Sequence, residues 1–337
     1  MNTVGLRTGS TLNSHPKISV LLEAYNSGDY LSSQVASILA QRNIEPHILI
    51  RDDGSTDGRI EALQQRYAES EQLSYIKNST SARGHLANFS ALCLEASDLE
   101  SEYFAFSDQD DVWHSNKLSL CYEKLVGLEA KYSSKMPILV HCDLRVVDKK
   151  LNEIAPSFIQ YQGIPDPAMH SAEAFLHQNV ATGCTFVFNR ALLELAAPIP
   201  DVAVIHDWWF ALVAKFYGVI DFIEEPMIDY RQHGGNSIGA ISVKQQRSFL
   251  KSHIYRALMK FPNHICNSVN QASALLSLSR EGSLKHQSKL RQFVSVINSN
   301  FILRAKYGFF KLGVSKPFEE KVYFSLVMIV CPFINKK

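Results

Sequence analysis

The sequence points to an α/β fold: a mixed, mainly parallel sheet flanked by helices, with a helical extension at the C-terminal end. Two observations carry this expectation. Short apolar runs alternate with helical periodicity at intervals of about 30 residues through the first half of the chain, as in a sheet wound with crossover helices. Three of those runs end in polar or acidic residues: Ala24-Tyr25-Asn26, Asp52-Asp53-Gly54-Ser55-Thr56-Asp57 and Asp108-Gln109-Asp110-Asp111. Ligands of open α/β sheets bind beyond the carboxyl ends of the strands, so this convergence is a functional signal.

The elements follow in order. Ile18, Ser19, Val20, Leu21 and Leu22 read as a buried strand behind Pro16. Leu31, Val35, Ile38 and Leu39 repeat at helical spacing and predict a helix over 30–41. A second strand over 47–50, a helix over 60–67, a third strand over 73–76 and a helix over 86–96 come next. A fourth strand over 103–106 leads into the acidic Asp108 run. The second half is more mixed, with strands expected over 138–142, 184–188, 219–223 and 227–230 and a helix over 207–217. Beyond residue 241 the pattern is helical, basic and rich in Ser and Asn.

The chain has 337 residues, 46% hydrophobic and 20% charged, which fits a globular protein of one large or two smaller domains. With only 16 Gly and 12 Pro and no long heptad run, collagen and coiled coil are excluded, as is disorder as the main state. The six cysteines form no C-x-x-C pair, so zinc and thioredoxin-like sites gain no support, and buried thiols in a reducing compartment are expected. No apolar stretch is long enough to span a membrane; the longest candidate, 322–334, is broken by Ser325 and Pro332. Residues 1–15 read as a polar tail without an apolar signal core, and a cytoplasmic location, with contact at the inner face of the membrane, is the expectation.

A net charge of +1 hides an asymmetry: residues 241–337 hold 16 Lys and Arg against 3 Asp and Glu, net +13, and the rest is net −12. Such a split suggests an anionic partner for the basic part.

The run Asp108-Gln109-Asp110-Asp111 packs three carboxylates into four residues. They repel one another unless a cation neutralises them, and hard oxygen ligands suit Mg2+ or Mn2+ shared with a substrate's phosphates. A solvated acidic turn capping a helix before Val112 has the same composition. Asp52 and Asp53 stand where a carboxylate could accept the imide N–H of uracil or thymine; alternatively they only build a turn, with Asp57 capping the next helix.

The stretches ISVLLEAYNSGDYLSSQVASILAQ, ILIRDDGSTDG, FAFSDQDDVWHSNKL, VATGCTFVFNRALL, HDWWFALVAKFYG and YRQHGGNSIGA occur in this order over residues 17–240. Together they resemble the family 2 glycosyltransferases, which have the GT-A fold and use nucleotide sugars. DQDDVW, HDWW and RQHGGNSIGA are most similar to the bacterial rhamnosyltransferase-like branch. The resemblance implies a GT-A-type, Rossmann-like catalytic domain over 16–240, followed by a basic helical extension over 241–337.

It also implies roles. Asp108 and Asp110 match the D-x-D pair, Asp110 on the metal and Asp108 nearer the ribose, with His233 as a further metal ligand and Asp111 supporting through water. Ala24, Tyr25 and Asn26 line the base and ribose pocket, and Asp53, with Asp52, matches the nucleobase contact. Arg83 lies where the family runs near the donor, and Arg231 is a pyrophosphate candidate because a guanidinium matches phosphate geometry. Thr182, Gly183 and Trp208 fall near the acceptor. Asp207 matches the general base that takes the acceptor's proton. Many family members carry Glu before this Asp; here His206 stands there, as a candidate to tune Asp207. Trp208 and Trp209 also read as core, His85 as a surface loop residue, and His141 and Asp143 as a strand end at the pocket edge or a structural cap.

The implied reaction is Mn2+- or Mg2+-dependent, inverting transfer of a sugar from a nucleoside diphosphate (dTDP or UDP) to a saccharide acceptor. The best donor is dTDP-L-rhamnose, in the synthesis of a bacterial surface polysaccharide such as O-antigen or capsule. A nucleotidyltransferase would need a Gly- and Lys/Arg-rich triphosphate loop after the first strand, and Ala24-Tyr25-Asn26-Ser27 is not one. A non-catalytic saccharide- or membrane-binding scaffold is opposed by the intact Asp108, Asp110 and Asp207 set.

The extension lies outside the resemblance. Lys251, Arg256 and Lys260 interleave with Phe249, Ile254 and Leu258, and Arg304, Lys306 and Lys311 with Phe301, Ile302 and Phe310. Such helices suit peripheral contact with an anionic membrane carrying a lipid-linked acceptor, or pack on the catalytic domain with a solvated basic face. No nucleic-acid module accompanies the charge, so nucleic acid is not an expected partner.

Overall fold

The computed structural model describes residues 15–78, 81–234, 239–242, 245, 254–278, 286–312, 321–322, 325–326 and 328–329. Four parallel strands, β1 (Lys17–Ala24), β2 (Glu45–Asp52), β3 (Leu73–Lys77) and β4 (Tyr103–Ser107), alternate with helices α1 (Tyr30–Leu39), α2 (Arg59–Arg66) and α3 (His85–Ser97). β1 is buried from its second residue onward, as a strand covered on both faces must be. α1 buries Leu31, Gln34, Val35 and Ile38, one stripe at helical spacing.

The second half completes the sheet. β5 (Val112–Trp113), α4 (Lys117–Tyr132), β6 (Ile138–Asp148), β7 (Glu153–Ala155), α5 (Phe158–Gln162), α6 (Ala172–Phe175), β8 (Val187–Asn189), α7 (Arg190–Ala196), α8 (His206–Tyr217) and β9 (Val219–Gln232) follow in order. The strand order is β3-β2-β1-β4-β8-β6-β9-β5, with β7 on β6. β8 is antiparallel to both its neighbours, and β9 runs parallel to β6. In register, Ala24 pairs with Asp52 and Leu22 with Ser107, which brings the three polar strand ends to one edge of the sheet.

Three local expectations are corrected. Val112 does not begin a helix; with Trp113 it adds a two-residue strand antiparallel to β9. The strand expected from Cys184 begins at Val187, because Gly183–Thr185 form a 3-10 turn closed by the Thr185 amide on the Thr182 carbonyl. The segments 219–223 and 227–230 merge into β9, whose register against β6 shifts near Asp143.

Lys117 is fully buried: Nζ donates to the Cys184 carbonyl at 3.0 Å and lies 3.1 Å from the Trp113 ring centroid. Burial lowers its pKa from 10.5 to about 8. The unfolded chain therefore binds this proton more tightly, and stability should rise as pH climbs from about 8 toward 10.5. Urea midpoints across that window should show the rise in the wild type and lose it in Lys117→Met.

Three further helices, α9 (Ile254–Leu276), α10 (Gln287–Val296) and α11 (Phe301–Tyr307), share a core with α8. Ile265, Leu275, Leu290 and Phe293 are wholly buried there, and Tyr217 donates its hydroxyl to the Leu275 carbonyl at 2.8 Å. Cys266 is disulfide-bonded, where the sequence suggested a thiol; Cys93, Cys121, Cys142 and Cys184 are free and buried. No helix among the described residues is long and apolar enough to cross a membrane. The tail 1–14, the side chains of Lys251, Arg256 and Lys260, and most of 322–334 lie outside the described residues.

Candidate active site

A cavity of about 540 Å³ opens beyond the carboxyl ends of β1 and β4. Glu23, His85, Asp108, Asp110, Thr182, Gly183 and Asp207 are among the residues that line it.

The loops after β1 and β2 hold each other. The Asn26 amide donates to Ser55 Oγ and the Thr56 amide to Asn26 Oδ1, both at 2.9 Å, while Asp57 Oδ2 accepts from the Gly28 amide at 2.9 Å. Asp57 thus ties two loops together besides accepting from the Arg59 amide. Asp52 accepts from the Ser55 amide at 3.0 Å and its hydroxyl at 2.6 Å, which makes it a turn former and leaves the nucleobase expectation on Asp53. Asp53 is 5% exposed; Oδ2 accepts from the Gly84 amide at 2.8 Å and Oδ1 from Asn78 at 2.7 Å, with Arg83 Nε at 3.8 Å. Gly84 has φ +89, a conformation that favours glycine, so only this residue lets the chain turn its amide onto Asp53 without strain. Ala24 is buried and its carbonyl accepts from the Asp53 amide, whereas Tyr25 is 55% exposed and open to a ligand. Gln109, which the sequence reading passed over, clamps the Tyr25 backbone with bonds of 2.7 and 3.1 Å.

The acidic run sits against the end of β9. His233 Nε2 and Asp110 Oδ2 are 2.7 Å apart, and the His233 ring stacks on Tyr30. Asp111 is wholly buried; Oδ1 accepts from the Arg231 amide at 3.1 Å, and Oδ2 is enclosed without a conventional hydrogen bond. Burial, then Asp110 and Asp108, drive the Asp111 pKa well above the ordinary carboxylate range. Asp108 is pushed up to about 8 by burial and by Glu23 and Asp110. Carboxylates this crowded fit a divalent cation, which would replace protons as the neutralising charge. A deeper set, Asp108, Asp111 and the Cys184 thiol, brings ligand atoms within 4.8 Å of one another. Asp108 and Asp110 line the cavity, and Asp110 pairs with His233, which itself stands outside the lining.

Arg231 corrects its expected role. It is 5% exposed, donating from Nε to the Asp110 carbonyl at 2.8 Å and from Nη1 to the Lys149 carbonyl at 3.0 Å, with its guanidinium over Tyr30. It shapes the acidic loop from behind and does not line the cavity.

Asp207 stands in the first turn of α8, whose positive end favours its charged form. Oδ2 accepts from the Gly183 amide at 3.0 Å and Oδ1 from Asn179 Nδ2 at 3.1 Å. Burial nevertheless raises its pKa to about 6, against the backbone bonds and the His85 charge that pull it down. His206 lines the cavity too but makes no hydrogen bond to this carboxylate. It stacks 3.7 Å from Phe89, neither ring nitrogen has a hydrogen-bond partner, and burial lowers its pKa well below 6.5, so the ring is neutral.

Trp208 does not face an acceptor. It is 2% exposed, its indole N–H donates to the Phe175 carbonyl at 2.8 Å and its ring stacks on His264. Thr182 and Gly183 do line the cavity. A Cβ on Gly183 would stand 2.8 Å from His206 Nε2 and 2.9 Å from Asp207 Cβ. Gly183→Ala should therefore displace Asp207 and lower kcat on the order of tenfold to a hundredfold, with substrate KM little changed. His141 is buried and neutral, its pKa lowered to about 3 by burial, and Asp143 caps α5 through Ser157 and the Ile159 amide; both are structural.

Sequence reading missed Glu23 and misplaced His85. Glu23 is 6% exposed in the cavity wall and pairs with His85 Nδ1, raising the His85 pKa to about 9. The only signal was a carboxylate in an otherwise apolar strand.

Comparison with known proteins shows the family. The sequence model of Glycosyl transferase family 2 matches residues 19–194, more than half of the chain. The dTDP-rhamnosyl transferase RfbG of Shigella flexneri is 27% identical over 232 residues, 65% of this chain and 74% of that protein. An uncharacterized glycosyltransferase of a Nostoc species, alr2836, is 25% identical over 327 residues, 91% of this chain and 92% of that one. The crystal structure of residues 1–349 of Staphylococcus aureus TarS superimposes with a TM-score of 0.51 at 15% identity, covering 95% of this chain and 92% of that fragment. That protein has also been crystallised with UDP-GlcNAc.

Proposed function

The chain belongs to the family 2 glycosyltransferases, a GT-A-type fold acting on nucleotide sugars, and we propose that it transfers a sugar with inversion, using Asp207 as the base. The observation that supports this reading is that Asp207, Asp108 and Asp110 line one cavity, with Asp110 paired to His233. Asp207 takes the proton of an acceptor hydroxyl, whose oxygen attacks the anomeric carbon as the bond to the diphosphate oxygen breaks. A cation at Asp108, Asp110 and His233, Mn2+ or Mg2+, would supply charge stabilisation for the departing nucleoside diphosphate. In this reading Tyr25, Asn26 and Asp53 bind the nucleoside, with Arg83, whose Nε is 3.8 Å from Asp53, as a further donor contact.

The favoured donor is dTDP-L-rhamnose, supported by the likeness to a dTDP-rhamnosyl transferase, with UDP as the other nucleotide. The acceptor is a saccharide of a bacterial surface polysaccharide, O-antigen or capsule, carried on a lipid. Peripheral contact with an anionic membrane fits exposed Phe301, Ile302, Leu303 and Phe310 beside exposed Lys306 and Lys311. The test is calorimetry with UDP, dTDP, GDP and CDP, each with Mn2+ and with EDTA. Metal-dependent binding of dTDP or UDP is expected; absence of binding by every nucleotide contradicts the reading.

A further inference from the structure

Glu23 and His85 have no part in the reaction as written above, yet they form one wall of its cavity. Glu23 is the next-to-last residue of β1, and His85, 62 residues later, opens α3. The carboxylate engages Nδ1 and so sets the ring's orientation. Nε2 is left without a partner among the described residues, on a side chain that is 42% exposed and lines the cavity. The ring lines the same cavity as Asp108, Asp110 and Asp207 and interacts electrostatically with all three.

We propose that His85 Nε2 binds a hydroxyl of the transferred sugar and that Glu23 is the residue positioning that ring. The inference deepens the transferase reading and rests on it. In that reading the sugar occupies the cavity His85 lines, with its diphosphate at the acidic run and its anomeric carbon within reach of an oxygen that Asp207 has deprotonated. A hydroxyl both donates and accepts, so it satisfies an imidazole nitrogen in either protonation state. A phosphate here would meet the charges of Glu23 and Asp207, which argues against the diphosphate as the ligand of His85. The pair is therefore a determinant of which sugar is taken, separate from nucleotide recognition.

The test compares the bare nucleotides dTDP and UDP with dTDP-L-rhamnose and UDP-N-acetylglucosamine, by calorimetry with Mn2+ and by transfer kinetics. His85→Ala should leave nucleotide affinity near that of the wild type and weaken the sugar conjugate about tenfold, the worth of one hydrogen bond of about 1.4 kcal/mol. Glu23→Gln, which keeps the packing, should give a smaller loss in the same direction and carries the test alone if His85→Ala does not fold. Equal weakening of nucleotide and conjugate assigns His85 to the diphosphate and overturns the proposal. Unchanged conjugate affinity with unchanged kcat/KM overturns it as well. A wild type that binds neither nucleotide overturns the transferase reading and this proposal with it, an outcome distinct from the other two.

Discussion

Asp207→Asn should lower kcat for transfer by about 10³-fold while the nucleotide sugar still binds, because the amide keeps the size of the carboxylate and loses only its ability to take a proton. The site makes this separable from folding: Asp207 is held by the Gly183 amide and Asn179 and touches none of the nucleoside-binding loops. The pH profile gives an independent reading. The pKa of Asp207 is raised to about 6, and a base acts only when deprotonated, so transfer should be lost as pH falls through about 6 and level off above it. Residual activity of the Asn variant should lack that limb. Near-full transfer by Asp207→Asn would move the base elsewhere in the cavity.

Asp110→Ala should abolish the metal-dependent part of nucleotide binding, a loss of at least about 100-fold, leaving the affinity that remains in EDTA. The backbone of the loop should survive, since Arg231 holds the Asp110 carbonyl rather than its side chain. His233→Asn should weaken metal-dependent binding less, because it removes one partner of a pair and leaves Asp108 and Asp110 in place. Mn2+-dependent binding that persists in Asp110→Ala would place the ion in the deeper set of Asp108, Asp111 and Cys184. Cys184→Ser would then be expected to weaken it, since thiolate and hydroxyl differ sharply as metal ligands.

Most of the sheet was legible because its strands are short apolar runs closed by turn-forming residues, a local signal. The acidic run and the Asp52–Asp57 turn were legible because their residue types stand in adjacent positions, whereas Asp207 was picked out only by the resemblance. Arg231 and Trp208 were not. Both are residue types suited to phosphate and sugar, and both are drawn inward by partners remote in sequence: the Asp110 and Lys149 carbonyls for Arg231, and the Phe175 carbonyl and His264 for Trp208. His206 was assigned a tuning role from its adjacency to Asp207, yet consecutive residues of a helix point in different directions, and its ring enters the Phe89 and Phe106 cluster instead.

The sequence by itself determined which chemical groups stand at the strand ends and in what order, since a strand run and the turn that closes it are set by neighbouring residues. Only the tertiary structure decided which of those groups meet. Asp110 and His233 are 123 residues apart and touch because β9 returns beside the acidic run. Gly183 orients Asp207 because a 3-10 turn lies against the start of α8. Burial then raised the pKa of Asp207 toward neutrality, and the fold brought Glu23 onto His85, 62 residues away, outcomes that depend on packing rather than on any local run of residues.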